Sequence, residues 1–341
     1  MRRPRLLGRL GPSAPAGQSP EHYPGLVDAQ VRWLEPARWR AAQAAHEARV
    51  DAATAGHRDR RARGRPHPVE DFLWVYYRLR PALLRRWHPG PGVVLGGGAR
   101  ARQATWKHYL IDGDDVRLDT AGFLAHRGRA VREVATLLRA TASRTARFGC
   151  FGLHEWAMVY QADDTRHPWP LRLGAAGTDE VVRSRPLRCT HYDAFRFFTP
   201  EAVPRNESAL AADTRVRHEQ PGCLHAGMDL YRFAYSLTPG VPSELVMDCF
   251  EHARRAREID MRASPYDLSD LGYEAIPIET ASGRAEYVAQ QQALAEAASV
   301  LRNRLLDACG QVSEVPLSDP RPRRTPARRR PEPAGTTSSC G

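Results

Sequence analysis

The amino-acid sequence predicts a mainly α-helical fold, in which several helices and a few short strands form one globular domain. Apolar residues recur at helical spacing along the middle and the last third of the chain. The 341 residues suffice for one large hydrophobic core. Both ends are rich in Pro, Gly, Ser and Arg, and such stretches bury too little apolar surface to fold. We therefore expect a helical domain over residues 28–310 that carries the function, with disordered basic tails at 1–27 and 311–341.

The first half of that domain contains three predicted helices. Residues 36–61 are rich in alanine and arginine and indicate a weakly amphipathic helix. Pro68, at a first helical position, begins a second helix that Pro81 ends or bends. A loop rich in Gly and Pro then contains one short strand near residues 93–95, and a further helix spans about 130–142. The apolar stripe of the second helix consists of Val69, Phe72, Leu73 and Tyr76.

The last third of the chain predicts two long helices. The first begins at Pro242 and Ser243 and stops before the Ser264-Pro265 dipeptide. Ser282 caps the second, which is the longest candidate and extends to Cys309. Their apolar faces consist of Leu245, Cys249, Ala253, Ala256 and Ile259 in the first, and Tyr287, Leu294, Ala298, Leu301 and Leu305 in the second.

Arginine accounts for nearly all of the positive charge. The chain carries 50 basic and 39 acidic side chains, a net charge of +11, and Lys107 is its single lysine. Residues 1–27 and 311–341 each contribute +3, which leaves a modest +5 for the residues between them. The tails are therefore either solvated ends or tethers that add salt-sensitive affinity for phosphates. Any reaction through a lysine Schiff base has one candidate residue.

Composition also bears on the compartment. The sequence has no run of about 18 apolar residues and so predicts no membrane span. Its basic start is followed by Gly, Pro and Ser in place of the apolar segment of a secretory signal. The six cysteines are dispersed and never form Cys-x-x-Cys, which favours reduced thiols that pack as small apolar groups. We expect a cytoplasmic protein.

Three short stretches place a histidine close to a carboxylate and a cysteine. His225 and Asp229 are four residues apart and would share one face of a helix. His191 and Asp193 are two residues apart, a spacing that would align them on a strand. These stretches are residues 148–156, 188–198 and 218–229.

The histidines and carboxylates have three interpretations. As metal ligands, His154, His191 and His225 would combine with Asp193 or Asp229, although the sequence has no His-Glu-x-x-His motif. As core residues, the histidines would satisfy buried carbonyls while the carboxylates pair with arginines. As a pocket without a metal, they would bind or transform a substrate.

Residues 183–198 interleave arginines with aromatic residues. Flat rings and guanidinium groups are what a surface needs to hold an unstacked base and its phosphates, but three phenylalanines within four residues are also typical of a core. The side chains concerned are Arg183, Arg185, Arg188, Tyr192, Phe195, Arg196, Phe197 and Phe198. Asp260, Asp267 and Glu279 are further pocket candidates, and their alternative role is to cap helices or to pair with Arg262 and Arg284.

Four segments carry a resemblance to a known family. They are Phe-Gly-Cys-Phe-Gly-Leu-His-Glu-Trp-Ala-Met-Val-Tyr at 148–160, Arg-Cys-Thr-His-Tyr-Asp-Ala-Phe-Arg-Phe-Phe-Thr at 188–199, Glu-Gln-Pro-Gly-Cys-Leu-His-Ala at 219–226 and Asp-Met-Arg-Ala-Ser-Pro-Tyr-Asp-Leu at 260–268. Together they resemble a family of bacterial proteins, frequent in actinobacteria, that is usually labelled 3-methyladenine DNA glycosylase. The resemblance extends from about Trp39 to Cys309 and leaves out both tails.

The resemblance implies a monofunctional DNA glycosylase of base excision repair, which flips an alkylated purine out of double-stranded DNA and hydrolyses its N-glycosidic bond. Such an enzyme needs a carboxylate, aromatic walls for the base and basic groups for the backbone, but neither a lysine nor a cofactor. The chain lacks the Leu-Pro-Gly-x-Gly signature of helix-hairpin-helix glycosylases, so no site residue is transferred by position. The candidates are Asp193, Asp229, Glu155, His191 and His225 for catalysis, Tyr192, Trp156 and Phe198 for base stacking, and Arg183, Arg185, Arg188 and Arg196 for DNA binding.

Two other classes of function stay open at this point. A small-molecule or metal-dependent enzyme would use the histidines and carboxylates as its pocket. A nucleic-acid-binding protein without catalysis would keep the arginines and pair the histidines with the carboxylates internally.

Overall fold

The computed structural model describes residues 31–165 and 167–314. Within these residues the chain forms eleven α-helices and four short strands, so the prediction of a mainly α-helical fold is confirmed. The helices are α1 (Pro36–Ala62), α2 (Phe72–Tyr76), α3 (Pro81–Leu84), α4 (Thr120–Ala142), α5 (Leu153–Ala157), α6 (Gly174–Arg183), α7 (Tyr192–Phe195), α8 (Arg215–His218), α9 (Leu224–Ser236), α10 (Ser243–Arg262) and α11 (Ala281–Glu314). The strands are β1 (Arg32–Leu34), β2 (Val93–Leu95), β3 (Tyr109–Asp112) and β4 (Asp115–Leu118).

The long helices lie where the apolar periodicity predicts them, but several predicted boundaries are wrong. At the start of α11 the Gly283 NH donates to the Thr280 hydroxyl, so Thr280 caps this helix in place of Ser282. The second helix begins at Phe72 and not at Pro68, because the backbone NH groups of Val69 and Glu70 are held by the His67 ring in a separate turn. Helix α4 begins ten residues before the predicted start, where the Asp119 carboxylate accepts a hydrogen bond from the Gly122 NH and caps the helix.

The four strands form one small sheet in the order β1-β2-β4-β3. β1 pairs with β2 in parallel, and the other two pairings are antiparallel. The sheet covers α1 through a local core of Leu34, Trp39, Trp87, Val93, Leu95 and Val116. The Trp39 indole NH donates to the Gly96 carbonyl at 3.0 Å, which ties the helix to the strand beside it.

The main hydrophobic core surrounds α9. Ten of the thirteen residues of this helix are buried, and α9 packs against both α10 and α11. Helix α11 packs in addition against α4. Since α5 and α7 also contribute buried side chains to this core, the segments with the predicted site residues meet around one central helix.

The predicted tails are described only where α11 extends into the C-terminal one. Helix α11 continues to Glu314, past the boundary predicted at residue 310, because Val312 on its last turn is buried in the main core. The remainder of both predicted tails, residues 1–27 and 315–341, lies outside the described residues. Among the helices of the described part, none is long and apolar enough to cross a membrane.

Candidate functional site

A tight turn before α5 positions the first functional side chains. Phe151 and Gly152 both have left-handed backbone conformations, with φ of +50° and +73°. A Cβ on Gly152 would lie 3.3 Å from the Cβ of Ala263, so close packing favours glycine there as well. For Phe151 the conformation is strained, and such strain is concentrated at functional sites. The turn holds Cys150 against His154 of α5.

Cys150, His154 and Asp260 form a continuous line of polar contacts. The Sγ atom of Cys150 lies 3.4 Å from Nδ1 of His154, and Nε2 of His154 lies 2.7 Å from Oδ1 of Asp260. His154 is 4% exposed and Asp260 0%, whereas Cys150 is only partly buried. A cysteine sulfur, an imidazole and a carboxylate that orients the imidazole make up the arrangement used in nucleophilic catalysis by cysteine.

The charges around His154 favour its protonated form. Burial alone would lower the pKa of His154, but the charge of Asp260 and the Cys150 sulfur outweigh burial and raise that pKa well above its ordinary value. Burial would raise the pKa of Asp260, but the neighbouring charges, that of His154 first, hold it well below its usual range. At neutral pH the pair is therefore an imidazolium and a carboxylate. A cationic imidazole in contact with a sulfur is the setting in which cysteine acts as a nucleophile.

Three further buried side chains complete this group. The Arg257 guanidinium donates to Oε1 of Glu155 at 2.8 Å and to Oδ2 of Asp260 at 3.1 Å. The rings of His225 and His154 have centroids 4.6 Å apart. Burial is the main reason that the pKa of His225 is lowered to about 3, so His225 is neutral at neutral pH. We call the six side chains the His154 cluster: Cys150, His154, Glu155, His225, Arg257 and Asp260.

A second buried group adjoins the first and is centred on Asp229 of α9. Its Oδ2 atom accepts hydrogen bonds from Arg232 at 2.5 Å and from Arg215 at 2.9 Å, while Oδ1 accepts one from the Tyr77 hydroxyl at 2.8 Å. Nε2 of His191 lies 3.3 Å from the same Oδ2. Burial would raise the pKa of Asp229, but the charge of Arg232, the hydrogen bond from His191 and the charge of Arg215 hold it well below its usual range. Asp193 pairs with both arginines, and Glu219 pairs with Arg215. The Asp229 cluster consists of Tyr77, His191, Asp193, Arg215, Glu219, Asp229 and Arg232.

An open cleft of about 830 Å³ lies over Cys150. Four arginines line it, and Glu207 is the one acidic side chain among its lining residues, so we call it the basic cleft. Beneath it a floor pocket of about 10 Å³ is lined by Cys150, His154 and His225. The arginines of the basic cleft are Arg144, Arg147, Arg188 and Arg217.

A separate small cavity, the rear pocket, lies against the other part of the network. Its volume is about 50 Å³, and Glu155, Asp193 and Arg257 line it together with aromatic side chains. His225 lines both the floor pocket and the rear pocket. The ring of His225 thus lies between the two cavities.

The predicted catalytic residues all lie in or beside these clusters, but in two groups. His225 and Asp229 both lie on α9, as their spacing predicts. However, His225 contacts His154 and belongs to the His154 cluster, whereas Asp229 pairs with two arginines of the Asp229 cluster. His191 precedes α7 and Asp193 lies within it, so the predicted strand alignment of this pair is wrong. None of Glu155, Asp193 and Asp229 lines the basic cleft.

The predicted stacking residues mostly belong to the core. Trp156 is 0% exposed and its indole NH donates to the Ala263 carbonyl at 2.8 Å, so neither ring face is open to a flipped base. Phe198 is 7% exposed and packs against Phe195, its ring centroid 5.1 Å away. Tyr192 is partly buried at the edge of the main core. Packing in this segment therefore follows the core interpretation.

The four predicted DNA-binding arginines do not form one surface. Arg188 alone lines the basic cleft. Arg183 pairs with Glu180 of its own helix at 3.3 Å, and Arg185 donates to the Glu279 carbonyl at 3.4 Å. Arg196 lies 3.5 Å from Asp193 and stacks over Phe197.

The three histidines of the predicted metal set approach one another but do not share one set of ligand atoms. Ligand atoms lie within 4.8 Å of one another in His154, His225 and Asp260, and separately in His191, Asp193 and Asp229. Asp260 is already bonded to His154 and Arg257, and Asp229 to two guanidinium groups. Positive partners on both carboxylates make the donor sets a poor fit for a divalent cation.

Cys150 is the member of the His154 cluster that the sequence analysis did not single out as a site residue, whereas Asp260 was among its pocket candidates. The sequence predicts that the cysteines pack as small apolar groups, and it leaves Asp260 either a pocket residue or a helix cap or partner of an arginine. The Cys150 and His154 spacing of four residues was a usable signal, since such pairs lie close on a helix. Asp260 is 106 residues from His154 in the chain, and only the packing of α10 beside α5 brings the two together. Of the other two pocket candidates, Asp267 accepts hydrogen bonds from Ser269, and Glu279 pairs with Arg172 in place of the expected Arg262 or Arg284.

Comparison with known proteins identifies no relative of the chain. The chain matches no protein-family model, no curated protein and no solved structure.

Proposed function

We propose that the chain is a small-molecule enzyme that uses Cys150 as a nucleophile on an acyl substrate bound in the basic cleft. The observation that carries this proposal is the line from Cys150 through His154 to Asp260, with contacts of 3.4 and 2.7 Å, beneath an open cleft. It corresponds to the pocket of histidines and carboxylates that the sequence leaves open as an alternative to DNA repair.

In this proposal each member of the line has one task. Cys150 attacks the carbonyl carbon of the substrate and forms a thioester, while the leaving group departs with the electron pair of the broken bond. His154 protonates the leaving group and then, as the neutral imidazole, removes a proton from the water that hydrolyses the thioester. Asp260 is a positioning residue, because it holds the imidazole and stabilises its cation without touching the substrate.

The other cysteines near the site lack this setting. Burial raises the pKa of the Cys189 and Cys223 thiols well above the ordinary value, so both are protonated at neutral pH. Neither thiol is hydrogen-bonded to a histidine ring among the described residues. The proposal therefore selects Cys150 from the three thiols of the floor pocket.

We further propose that the protein works in the reducing cytoplasm. The cysteines in the described part of the chain, Cys150, Cys189, Cys223, Cys249 and Cys309, are free thiols. A cysteine nucleophile needs a reduced sulfur, so this compartment suits the proposed chemistry.

Hydrolysis of p-nitrophenyl acetate, a small neutral ester, tests the proposed nucleophile. We expect the full chain to hydrolyse it with a burst of p-nitrophenol equal to the enzyme concentration, and the Cys150→Ala variant to lose both burst and turnover. Cys309→Ala replaces a buried cysteine on α11 that lines neither the basic cleft nor the floor pocket; it is the matched control and should keep the burst. Equal turnover by wild type and Cys150→Ala would contradict the proposal.

A second candidate is the DNA glycosylase that the family resemblance implies, acting on alkylated purines in double-stranded DNA. Four arginines along a cleft of about 830 Å³ favour it, since a cleft of this size and charge suits a nucleotide and its flanking phosphates. The assay is release of free 3-methyladenine from methylated duplex DNA by the full chain, with loss of release expected in Asp193→Asn or Asp229→Asn. Release no greater than background would remove this candidate.

A further inference from the structure

We propose that the substrate carries its acyl group on a phosphate-bearing leaving group, and that Arg147, Arg188 and Arg217 bind this phosphate. This inference rests on the proposed cysteine chemistry and names the substrate class of the same site. The acyl group would lie at Cys150 and the phosphate in the basic cleft above it.

The arginines of the basic cleft divide into one that is bonded and three that are available. Arg144 donates to the backbone carbonyls of Ala140, Val216 and Glu219 at 2.6, 2.5 and 3.1 Å. It thereby fastens α8 to the end of α4 and fixes the wall of the cleft. The task of Arg144 is structural, so we do not count it among the phosphate ligands.

The other three guanidinium groups lack strong acidic partners. Arg188 is 3.8 Å from Glu207, and both side chains are more than half exposed. Arg147 and Arg217 are exposed, and neither forms an ion pair within the described residues. Uncompensated guanidinium groups that converge on one cleft are the usual phosphate ligands of proteins, because each can donate two hydrogen bonds to one phosphate.

The floor pocket limits the size of the acyl group. Its volume of about 10 Å³ is close to the smallest space that holds one water molecule. Leu224 and Tyr287 give it apolar lining beside the three thiols. A space of this size excludes a long acyl chain, so the acyl group is small, and the bulk of the substrate is the phosphate part in the large cleft above.

The reaction balances with water as the only other reactant. The Cys150 thiolate attacks the carbonyl carbon of an acyl phosphate; the carbon–sulfur bond forms and the bond from carbon to the phosphate oxygen breaks. Phosphate leaves with the electron pair and takes the proton of the His154 imidazolium. Neutral His154 then accepts a proton from water, whose oxygen attacks the thioester, and the sulfur leaves as the thiolate. The products are the free acid and inorganic phosphate.

Binding of pyrophosphate, measured by titration calorimetry on the full chain, tests the phosphate site without any chemistry. We expect the double variant Arg147→Gln/Arg217→Gln to bind at least about tenfold more weakly than wild type, since charge-assisted hydrogen bonds are lost. The control Arg38→Gln/Arg61→Gln removes the same charge from the exposed face of α1 and should bind like wild type. Cys150→Ala should also bind like wild type. Equal weakening in the cleft variant and the control would overturn the phosphate site.

Turnover separates failure of this inference from failure of the proposed function. We expect a higher kcat/KM for acetyl phosphate than for p-nitrophenyl acetate, and expect the cleft variant to lose at least tenfold on acetyl phosphate while keeping its rate on the neutral ester. If Cys150-dependent hydrolysis is equal for both substrates and insensitive to the cleft variant, the nucleophile stands and the phosphate inference falls. If a short duplex oligonucleotide displaces pyrophosphate at a far lower concentration than acetyl phosphate does, the small-molecule substrate class is wrong and the DNA candidate gains.

Discussion

Replacement of Asp260 by asparagine should destabilise the protein and change the reactivity of Cys150 together. Asp260 is wholly buried and accepts hydrogen bonds from His154 at 2.7 Å and from Arg257 at 3.1 Å. Asparagine has nearly the same shape, so Asp260→Asn leaves no cavity; it removes the charge and replaces one of the two accepting oxygens by an NH2 donor. Arg257 then keeps Glu155 as its one acidic partner. Breaking a buried ion pair of this kind costs about 3–5 kcal/mol.

The matched control for this variant lies on the same helix. Asp248→Asn removes a carboxylate that pairs with Arg49 and Arg304, at 2.8 and 2.7 Å, at the surface of α10. Pairs as exposed as these contribute about 0–1 kcal/mol each. Urea denaturation of both variants at pH 7 should therefore show a loss several times larger for Asp260→Asn than for Asp248→Asn.

The pH dependence of this loss follows from the pKa of Asp260. Because its neighbours hold that pKa well below the ordinary value in the folded state, the carboxylate contributes stability at every pH above its unfolded pKa of about 3.9. This contribution is lost as the pH falls through the folded pKa. We expect the difference in unfolding free energy between wild type and Asp260→Asn to be constant near neutral pH and to shrink below about pH 4.

A second readout separates positioning from a purely structural role. Without the Asp260 charge the pKa of His154 drops, so the imidazolium beside Cys150 persists over a narrower pH range. The rate of Cys150 alkylation by iodoacetamide should fall at neutral pH in Asp260→Asn, because less of the imidazolium that favours the thiolate is present. An Asp260→Asn variant with wild-type stability and a wild-type alkylation profile would refute this reasoning.

The remaining predictions concern three other features of the site. The pKa of His225 is lowered to about 3 in the folded state, whereas the unfolded chain takes up a proton near pH 6.5. The unfolding free energy should therefore fall by up to about 5 kcal/mol as the pH drops from 6.5 to 3. In urea titrations His225→Asn should lose this pH dependence, and the exposed control His126→Asn should keep it. Trp156→Ala should cost about 3–5 kcal/mol, because the ring is wholly buried, and a loss under 1 kcal/mol would place the ring outside the core. Treatment with EDTA should leave the p-nitrophenol burst unchanged, because Asp260 of the His154 cluster and Asp229 of the Asp229 cluster are already bonded to arginines. A burst that is lost with EDTA and restored by Zn²⁺ would favour the metal interpretation.

Much of the helical framework is readable from the sequence, because long helices bury one face at regular spacing. Leu245, Cys249 and Ala253 define α10 in this way, and all three are buried in the main core. The sequence analysis did not predict the hairpin of β3 and β4. Its strands have four residues each, which is too short to show a clear alternation of apolar and polar side chains, although the Asp112-Gly113 dipeptide is typical of a hairpin turn.

The candidate site was predicted in part. The three predicted stretches, residues 148–156, 188–198 and 218–229, do bring together His154, His191 and His225: the ring centroid of His225 lies 4.6 Å from that of His154 and 5.3 Å from that of His191. The sequence does not predict the division into two clusters. That division depends on which side of α9 each side chain faces and on the contacts that Arg257 and Asp260 make from α10. Such contacts are set by the packing of distant helices, and local spacing carries no signal for them.

The most direct test of the proposed nucleophile is the site and rate of limited alkylation, read by peptide mass spectrometry. Full-length wild type and His154→Asn would be exposed to substoichiometric iodoacetamide at pH 7. The account predicts that Cys150 is labelled first in wild type, well before Cys189 and Cys223, and that its rate falls at least about tenfold in His154→Asn. Labelling of Cys150 no faster than that of Cys223, or at the same rate in both proteins, would contradict the role of Cys150 as the activated nucleophile.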